Sequence, residues 1–382
     1  MKKIALLGFG VVGKGVYDII AKRGDMEVAR VLVRRPIEEI AAISSTNITD
    51  IVADSTIDTV VEVMGGVHPA YEYIAAALQS GKNVVTANKA VISACYRELT
   101  ALAAENGVAL RCTAAVGGGI PWLINLERCC RIDTVTEVSG IMNGTTNYIM
   151  DAMHTSPVAF DVILKKAQEL GYAEADPSAD IDGDDIRRKL TISANIAFGA
   201  LLDEETIPMF GIRTVTDGDI ATFQENGYVC KLIATARATE SGVAAWLEPT
   251  LVDSHALEAA VPANYNLVSF QSEYLGRQSY FGQGAGRYPT ASNVVQDCLD
   301  IAAGKKAFYA QKAQPMLPDN SGVVHAYYVR TTAADAWLES ITEKTMGDGV
   351  VTTGVSVAEM LSWARGQLKA DPAVFIAALP QK

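Results

Sequence analysis

The first third of the chain alternates short apolar runs with segments in which apolar residues recur every three to four positions. Short apolar runs predict buried strands, and a period of about 3.6 residues predicts amphipathic helices between them. Strand–helix–strand repetition of this kind predicts a parallel, doubly wound sheet of the α/β class. The predicted strands are 4–7, 28–33, 59–63, 83–86 and 108–112, and the predicted helices are 11–22, 69–80 and 97–106.

From about residue 131 the pattern changes to apolar–polar alternation mixed with longer helical segments. Alternation with a period of two predicts strands that bury one face, so we expect an α+β domain on an open mixed sheet. Its predicted strands are 133–141, 229–238, 244–252 and 266–273, and its predicted helices are 146–153, 160–170 and 185–201. A turn-rich stretch at 282–289 then leads into a predicted helix at 290–303.

The tail repeats short strand and helix patterns at 326–331, 334–343, 350–355, 358–368 and 374–378. These patterns fit a small separate α/β module and equally a set of extra elements of the main body. At 382 residues the chain is long enough for two or three domains. The expected boundaries are 1–130 with a returning segment at 285–320, then 131–284, then the tail at 321–382.

The composition of the chain indicates a globular protein and disfavours some classes of binding partner. Hydrophobic residues make up 49% and charged residues 20%, which is typical of a globular protein, and the formal net charge of −12 disfavours nucleic acid or an anionic membrane as partner. No apolar run approaches the ~20 residues of a membrane span. The six cysteines lack CxxC spacing, which favours reduced thiols in the cytoplasm over disulfides or a zinc site.

A glycine-rich motif joins the first predicted strand to the first predicted helix. Residues 8–13 read G-F-G-V-V-G and match GxGxxG in the context that dinucleotide binding requires. Glycines there let the backbone approach a pyrophosphate, whose charge the helix N-terminus favours. We therefore expect a Rossmann-like, dinucleotide-binding domain, and a turn without a ligand is the weaker alternative. The expected cofactor contacts are Gly8, Phe9, Gly10, Val11, Val12 and Gly13.

The end of the second predicted strand bears on which nicotinamide nucleotide binds. NAD-binding folds usually carry an acidic residue about 20 positions past the glycines. Arg34 and Arg35 stand there instead, and two cations suit the 2′-phosphate of NADP. The pattern favours NADP as cofactor, with NAD possible and a solvated basic loop as the alternative explanation.

Loops after the next predicted strands should also face the cofactor, because the carboxyl ends of parallel strands meet at one edge of a sheet. Met64 and Gly65 follow one such strand, and Thr86 and Asn88 follow another. We expect all four residues to contact the cofactor. Lys89 follows directly and is expected to reach cofactor or substrate, although a single loop lysine is often only solvated.

The stretch 174–189 carries six acidic residues and runs into a predicted helix. Asp185 and Lys189 lie four positions apart on that helix, so both side chains project from one face. A surface ion pair would explain these two alone, but crowded carboxylates repel each other unless something cationic binds. We therefore expect Asp180 and its acidic neighbours to hold an ammonium group beside Lys189, which would move a proton.

A polar turn, N-G-T-T-N at 143–147, precedes another predicted helix. Thr145 or Thr146 is expected to be the N-cap of that helix. Hydroxyl and backbone N–H groups there, including those of Gly144 and Thr145, would suit a substrate carboxylate.

In these motifs the chain resembles the homoserine dehydrogenases, from residue 1 to about residue 304. The motifs are, in order, G-F-G-V-V-G-K-G, T-A-N-K, A-A-V-G-G-G-I-P, G-I-M-N-G-T-T-N-Y-I, L-G-Y-A-E-A-D-P-S-A-D-I-D-G-D-D-I-R-R-K and G-Q-G-A-G, of which the fifth is the most specific. The resemblance implies interconversion of L-homoserine and L-aspartate 4-semialdehyde with NAD or NADP, in threonine, methionine and isoleucine biosynthesis. It also implies a homodimer formed through the second domain.

The resemblance assigns roles to individual residues. Lys189 matches the proton donor to the aldehyde oxygen, with Asp185 beside it, and Lys89 matches a lysine near the reacting centre. The other implied contacts are Asp185, Glu174 and Tyr172 on the substrate, and Gly171 and Gly286 on the cofactor.

Two features depart from the family pattern. Members usually carry a glutamate at the position of Thr113, so it stays open whether the turn at 114–121 binds sodium or potassium through Val116, Gly118 and Ile120 or is a plain domain crossover. Many bacterial members also end in a regulatory ACT domain. The short tail resembles at most a reduced ACT-like module, so feedback inhibition by threonine does not follow.

Two other functions stay open. A dehydrogenase of another amino alcohol or hydroxy acid would use the same groups, and a dinucleotide-sensing protein would bind the cofactor without turnover. An enzyme of the aspartate-semialdehyde type is disfavoured, because no cysteine stands in a convincing nucleophile setting.

Overall fold

The computed structural model describes residues 1–305 and 314–380. Within these residues the chain forms two compact units. The expected return segment 285–320 includes 306–313, and the expected tail includes 381–382, all outside the described residues. The first unit comprises the described parts of Met1–Thr134, Thr191–Leu201 and Gly282–Pro315, and the second those of Val135–Leu190, Leu202–Phe281 and Met316–Lys382.

Strands and helices alternate over much of the first 130 residues, and runs of helices and runs of strands follow. The strands are β1 (Lys2–Leu7), β2 (Met26–Leu32), β3 (Ser44–Ser45), β4 (Thr59–Glu62), β5 (Asn83–Thr86), β6 (Leu110–Arg111), β7 (Val135–Ile141), β8 (Ala200–Leu201), β9 (Tyr228–Thr239), β10 (Gly242–Asp253), β11 (Tyr265–Ser272), β12 (Gly276–Gln283), β13 (Gln314–Pro315), β14 (Val324–His325), β15 (Tyr327–Arg330), β16 (Thr342–Met346), β17 (Gly349–Thr352), β18 (Val355–Ser356) and β19 (Phe375–Ala378). The helices are α1 (Val11–Ala21), α2 (Thr49–Val52), α3 (Ala70–Gln79), α4 (Lys89–Glu105), α5 (Trp122–Cys129), α6 (Gly144–Thr155), α7 (Phe160–Glu169), α8 (Ser178–Ile181), α9 (Asp184–Phe198), α10 (Asp217–Glu225), α11 (Arg287–Ala302), α12 (Ala336–Ile341) and α13 (Val357–Gln367). None of the helices in the described ranges combines the length and apolar character needed to cross a membrane.

The first unit is built on a six-stranded parallel sheet with the order β3-β2-β1-β4-β5-β6. This is the strand order of doubly wound dinucleotide-binding folds, so the predicted Rossmann-like sheet is confirmed. Ile4 and Val61 of the sheet share one buried cluster with Val294 of α11. Glycine at position 15 of α1 permits close packing against α11, because a Cβ there would lie 2.7 Å from the Arg287 carbonyl oxygen.

Helix α4 begins well before the predicted start at residue 97. Asn88 is its N-cap, since its side chain accepts a hydrogen bond from the Val91 N–H (3.3 Å). The backbone leaves helical geometry at Cys95 (φ −124°), which divides the helix and obscures its period in the sequence. Lys89 is therefore the half-buried first residue of a helix, and its prediction as a loop residue was wrong.

The second unit is built on a nine-stranded sheet with the order β12-β11-β7-β9-β10-β19-β15-β17-β16. β10 and β19 pair in parallel, whereas neighbours such as β9 and β10 are antiparallel. The predicted open mixed sheet is therefore confirmed. Four strands from the tail, β15, β16, β17 and β19, belong to this sheet.

Two strands were missed, and two predicted helices end earlier in the structure. Strand β12 (G-R-Q-S-Y-F-G-Q) was missed because its sequence lacks clear apolar alternation. β16 was missed for the same reason, and it cuts the predicted helix at 334–343 short at Ile341. Helix α9 stops at Phe198 because Gly199 takes a positive φ of 60°, after which residues 200–201 pair with β13.

Candidate functional site

The glycine-rich turn between β1 and α1 has the geometry of a phosphate-binding loop. Gly8 has a φ of 104°, and its N–H donates to the Leu32 carbonyl (3.0 Å). A Cβ at Gly13 would lie 2.4 Å from the Gly8 carbonyl oxygen, so only glycine fits there. Helix α1 begins at Val11 with Gly10 at its N-cap, and its N-terminal N–H groups suit an anion.

A cavity of ≈ 1110 Å³ lies at this turn, and seven of the fifteen predicted cofactor residues line it. Arg34 and Arg35 are exposed and line it, as the prediction of an NADP 2′-phosphate site requires. Val12 packs against the core instead, and Val11 is exposed on α1. The predicted residues in the lining are Gly8, Phe9, Gly10, Arg34, Arg35, Met64 and Gly65, beside others such as Thr46, His68 and Tyr73.

A buried carboxylate that the sequence reasoning missed holds two of the cofactor loops. Glu62, the last residue of β4, accepts hydrogen bonds from the N–H groups of Met64 (2.7 Å) and Gly65 (3.3 Å) and from the Thr86 hydroxyl (2.6 Å). Asn88 donates to Glu62 (3.4 Å) and to the Gly66 carbonyl (2.7 Å). Burial raises the pKa of Glu62, and these hydrogen bonds oppose the rise. One indication of this role is visible in the sequence, where Glu62 is the single charged residue of the strand segment T-V-V-E.

Removing this carboxylate should weaken nucleotide binding. Glu62→Ala leaves the two loop amides without their acceptor, so we expect the dissociation constant for the nucleotide to rise about tenfold or more. Glu62→Gln should recover part of the affinity, because an amide oxygen still accepts from both N–H groups. Calorimetric titration with the nucleotide measures this, and Glu27→Ala, which removes only a surface pair with Lys3 (3.6 Å), is the matched control. Equal affinity of Glu62→Ala and wild type would contradict this role.

The second unit contains the predicted acid–lysine pair. Lys189 Nζ lies 2.7 Å from Asp185 Oδ2 and donates to the Met142 carbonyl (2.6 Å), and both side chains are only 9% exposed. The pair is therefore buried, which excludes the alternative of an ordinary solvated surface pair. A desolvated ammonium fixed by two oxygens can transfer a proton to a bound ligand.

Asn143 connects this pair to a second carboxylate. Its Nδ2 donates to Asp185 (2.9 Å) and to Asp180 (2.7 Å), while its Oδ1 accepts from the Thr146 N–H (2.8 Å) and so caps α6. Thr145 or Thr146 as the N-cap was therefore a wrong prediction, because the helix begins earlier and the Asn143 side chain caps it. Burial, and next the charge of Asp185, raise the pKa of Asp180.

The remaining predicted substrate residues lie close in sequence to this cluster, but they are not all joined to it. Thr145 donates its hydroxyl to the Tyr172 carbonyl (2.6 Å), and the two residues thereby connect α6 to the acidic loop. Gly144 is the first residue of α6. Glu174 is exposed, and its main-chain carbonyl accepts from Gln168 (3.1 Å).

The acidic loop is less strained by repulsion than its sequence indicates. Arg213 pairs with Asp182 (2.6 Å), and Arg187 pairs with Asp184 (3.0 Å). Six crowded carboxylates therefore do not by themselves require a cationic ligand, because Arg213 and Arg187 neutralise two of them. The case for a ligand rests on Asp180 and Asp185 instead.

The remaining predicted positions are two glycines and the turn expected to bind a cation. Gly171 follows the C-terminus of α7 with a φ of 74°, and Gly286 precedes α11 with a φ of 125°. Asn293 donates to the carbonyls of Gly118 (2.7 Å) and Ile120 (3.0 Å), two of the expected cation ligands. Both carbonyl oxygens therefore already have a hydrogen-bond donor. Across residues 1–305 and 314–380, no group of three or more His, Cys, Asp or Glu could hold a metal.

The chain is similar to known proteins over most of its length. Family models described as "Homoserine dehydrogenase" and "Homoserine dehydrogenase, NAD binding domain" match residues 121–299 and 8–113. Homoserine dehydrogenase of Lactococcus lactis subsp. lactis is 38% identical over 356 residues, which span 87% of this chain and 83% of that protein. The Bacillus subtilis enzyme is 37% identical over 313 residues, 78% of this chain and 72% of that one.

A solved structure extends the similarity to the fold. The crystal structure of a homoserine dehydrogenase from Thiobacillus denitrificans superposes with a TM-score of 0.87 at 32% identity, covering 100% of this chain and 98% of that one. Sequence, motifs and fold therefore agree. The chain belongs to the homoserine dehydrogenase family of NAD(P)-dependent oxidoreductases.

Proposed function

We propose that the protein interconverts L-homoserine and L-aspartate 4-semialdehyde with NAD(P), as part of amino-acid biosynthesis. The observation that carries the proposal is the buried Lys189–Asp185 pair, which Asn143 joins to Asp180. The pair offers an acid for the carbonyl oxygen, and the carboxylates offer partners for the ammonium group of an amino-acid substrate.

When bound, the nicotinamide supplies the hydride that passes to the aldehyde carbon. Lys189 donates a proton to the aldehyde oxygen in that direction and takes it back when the alcohol is oxidised. Asp185 and the Met142 carbonyl hold Nζ at 2.7 and 2.6 Å, so the donor is oriented before the substrate arrives. Lys89, the half-buried first residue of α4, is proposed to assist near the reacting centre.

The substrate is held at both ends of its amino-acid group. Asp180, with Asp185 and Glu174, binds the ammonium, which would offset the burial that raises the pKa of Asp180. The first turn of α6, at Gly144 and Thr145, supplies N–H groups and a hydroxyl for the carboxylate. Tyr172, connected to Thr145, completes this side of the site.

A panel of alcohols tests the substrate. We expect reduced nicotinamide to form with L-homoserine and far less with 4-hydroxybutyrate, which lacks the ammonium group. Faster turnover of another amino alcohol would reassign the substrate. Tight nucleotide binding with no turnover of any alcohol would instead show a dinucleotide sensor.

NADP is the proposed preferred cofactor, with NAD also accepted. Arg34→Ala and Arg35→Ala should each raise the KM for NADP about 10–100-fold, because a phosphate loses a charge-assisted hydrogen bond, while the KM for NAD should change little. Steady-state kinetics with both nucleotides measures the ratio. Arg23→Ala, which breaks an exposed pair with Asp25 (2.6 Å) in the same unit, is the control. An equal effect on NAD and NADP would remove the basis for this preference.

Assembly, location and domain roles complete the proposal. Family resemblance supports a homodimer formed through residues 131–284. The free cysteines among the described residues support a reducing cytoplasm. We assign dinucleotide binding to residues 1–130 with 285–320, and substrate binding to 131–284.

A further inference from the structure

A side-chain amide closes the turn at residues 117–120. Asn293 of α11 is only 7% exposed, and its Nδ2 donates to the carbonyl oxygens of Gly118 (2.7 Å) and Ile120 (3.0 Å). These oxygens are two of the three expected to ligate a monovalent cation. The amide nitrogen stands where the two oxygens converge, so the amide and a cation exclude each other at this point.

The same face of α11 holds the chain that leads into this turn. Asp297 lies one helical turn beyond Asn293 and accepts from the Thr113 N–H (2.9 Å) and hydroxyl (2.7 Å). Arg111 donates to Asp297 (3.0 Å) and to Asp300 (2.9 Å). The Thr113 hydroxyl therefore donates to the Asp297 carboxylate. A glutamate at position 113 would instead place a second carboxylate beside Asp297.

The surroundings fix the turn tightly. A Cβ at Gly118 would lie 2.5 Å from the Gly284 carbonyl oxygen, and one at Gly119 would lie 2.7 Å from the Pro289 Cβ. The Gly119 N–H also donates to the Gln283 carbonyl (3.1 Å). Because the turn has little freedom, its two converging carbonyls need a permanent partner at their shared point.

We propose that the Asn293 amide takes the structural place of a monovalent cation, so that this protein needs neither sodium nor potassium to hold the turn. If the Asn293 Oδ1 faced the turn instead of Nδ2, three oxygens would converge, and a cation or another donor would be needed to offset their repulsion. The two alternatives therefore predict opposite responses to salt. The inference concerns the fold of the first unit and does not depend on the proposed reaction.

Thermal unfolding of the full-length protein without substrate tests the proposal, in choline, sodium or potassium chloride at equal ionic strength. We expect the same wild-type Tm in all three salts, whereas a site saturated by a cation would raise Tm by several degrees. Asn293→Ala should lower Tm in choline by roughly 3–10 °C, because two buried carbonyls lose their donor, and sodium or potassium should restore part of the loss saturably. The matched control is Asn125→Ala, which removes an amide from the more accessible Pro121 carbonyl (2.8 Å) and should show no salt response.

Two results would overturn the proposal. A saturable rise of the wild-type Tm in sodium or potassium but not in choline would show that a cation binds. An Asn293→Ala protein with wild-type Tm and no cation response would show that the amide does not hold the turn. If Asn293→Ala does not fold, the wild-type comparison still decides between amide and cation.

Discussion

Lys189→Ala is expected to lower kcat by about 10²–10⁴-fold, the range that a positioned general acid contributes. Alanine removes the ammonium from its place between Asp185 and the Met142 carbonyl, and with it the proposed proton donor. Nucleotide affinity should not change, because the glycine-rich turn and the residues that line its cavity are left intact.

Steady-state kinetics and a nucleotide titration on the same samples measure both quantities. Lys165→Ala removes an exposed lysine of α7 and is the control for loss of charge. Turnover within a fewfold of wild type in Lys189→Ala would show that another group donates the proton. A parallel loss of nucleotide binding would indicate that the variant is misfolded, and unfolding curves would then separate the two effects.

Asp185→Asn should impair both activity and stability. The substitution removes the partner of a buried ammonium, and breaking one side of a buried pair costs about 3–5 kcal/mol. In the wild type the Nδ2 of Asn143 donates to Asp185 at 2.9 Å. The new asparagine replaces that carboxylate with an amide, which is a weaker acceptor. We expect a loss of about 100-fold or more in kcat/KM, since Lys189 loses the charged partner that helps to orient it.

Asp184→Asn is the matched control, because it changes the neighbouring residue. Asp184 is 33% exposed, and its partner Arg187 keeps a second carboxylate, Glu205 (2.8 Å). We expect this control to keep near wild-type kinetics and stability. If Asp185→Asn behaves like Asp184→Asn, Asp185 does not position the lysine.

The parallel sheet could be predicted from local patterns, whereas the mixed sheet could be predicted only in outline. Buried parallel strands leave continuous apolar runs, and each of the five predicted runs overlaps a strand of the first unit. Strand β12 is polar, and the tail strand β19 pairs with β10, far away in the sequence, with Thr250 opposite Ala378. Such pairing depends on tertiary context, which periodicity does not encode.

The candidate site likewise has a part that local sequence patterns predict and a part that they do not. Helical spacing was enough to place Asp185 beside Lys189, and the glycine motif was enough to place the nucleotide turn. The links made by Glu62 and Asn143 join segments distant in sequence, and no local pattern predicts them. Likewise, the sequence shows Arg187 and Arg213, but it does not show which carboxylates of the acidic loop they pair with.

The central claim is that hydride reaches the aldehyde carbon of L-aspartate 4-semialdehyde in a site where Lys189 protonates the oxygen. The most direct measurement uses a reduced nicotinamide nucleotide deuterated at the transferred position, with mass spectrometry of the product from wild type and Lys189→Ala. We predict L-homoserine carrying one deuterium on the carbon that bears the hydroxyl group, formed rapidly by wild type and only in traces by the variant. Consumption of the nucleotide without labelled homoserine, or equal labelling rates in both proteins, would contradict the claim.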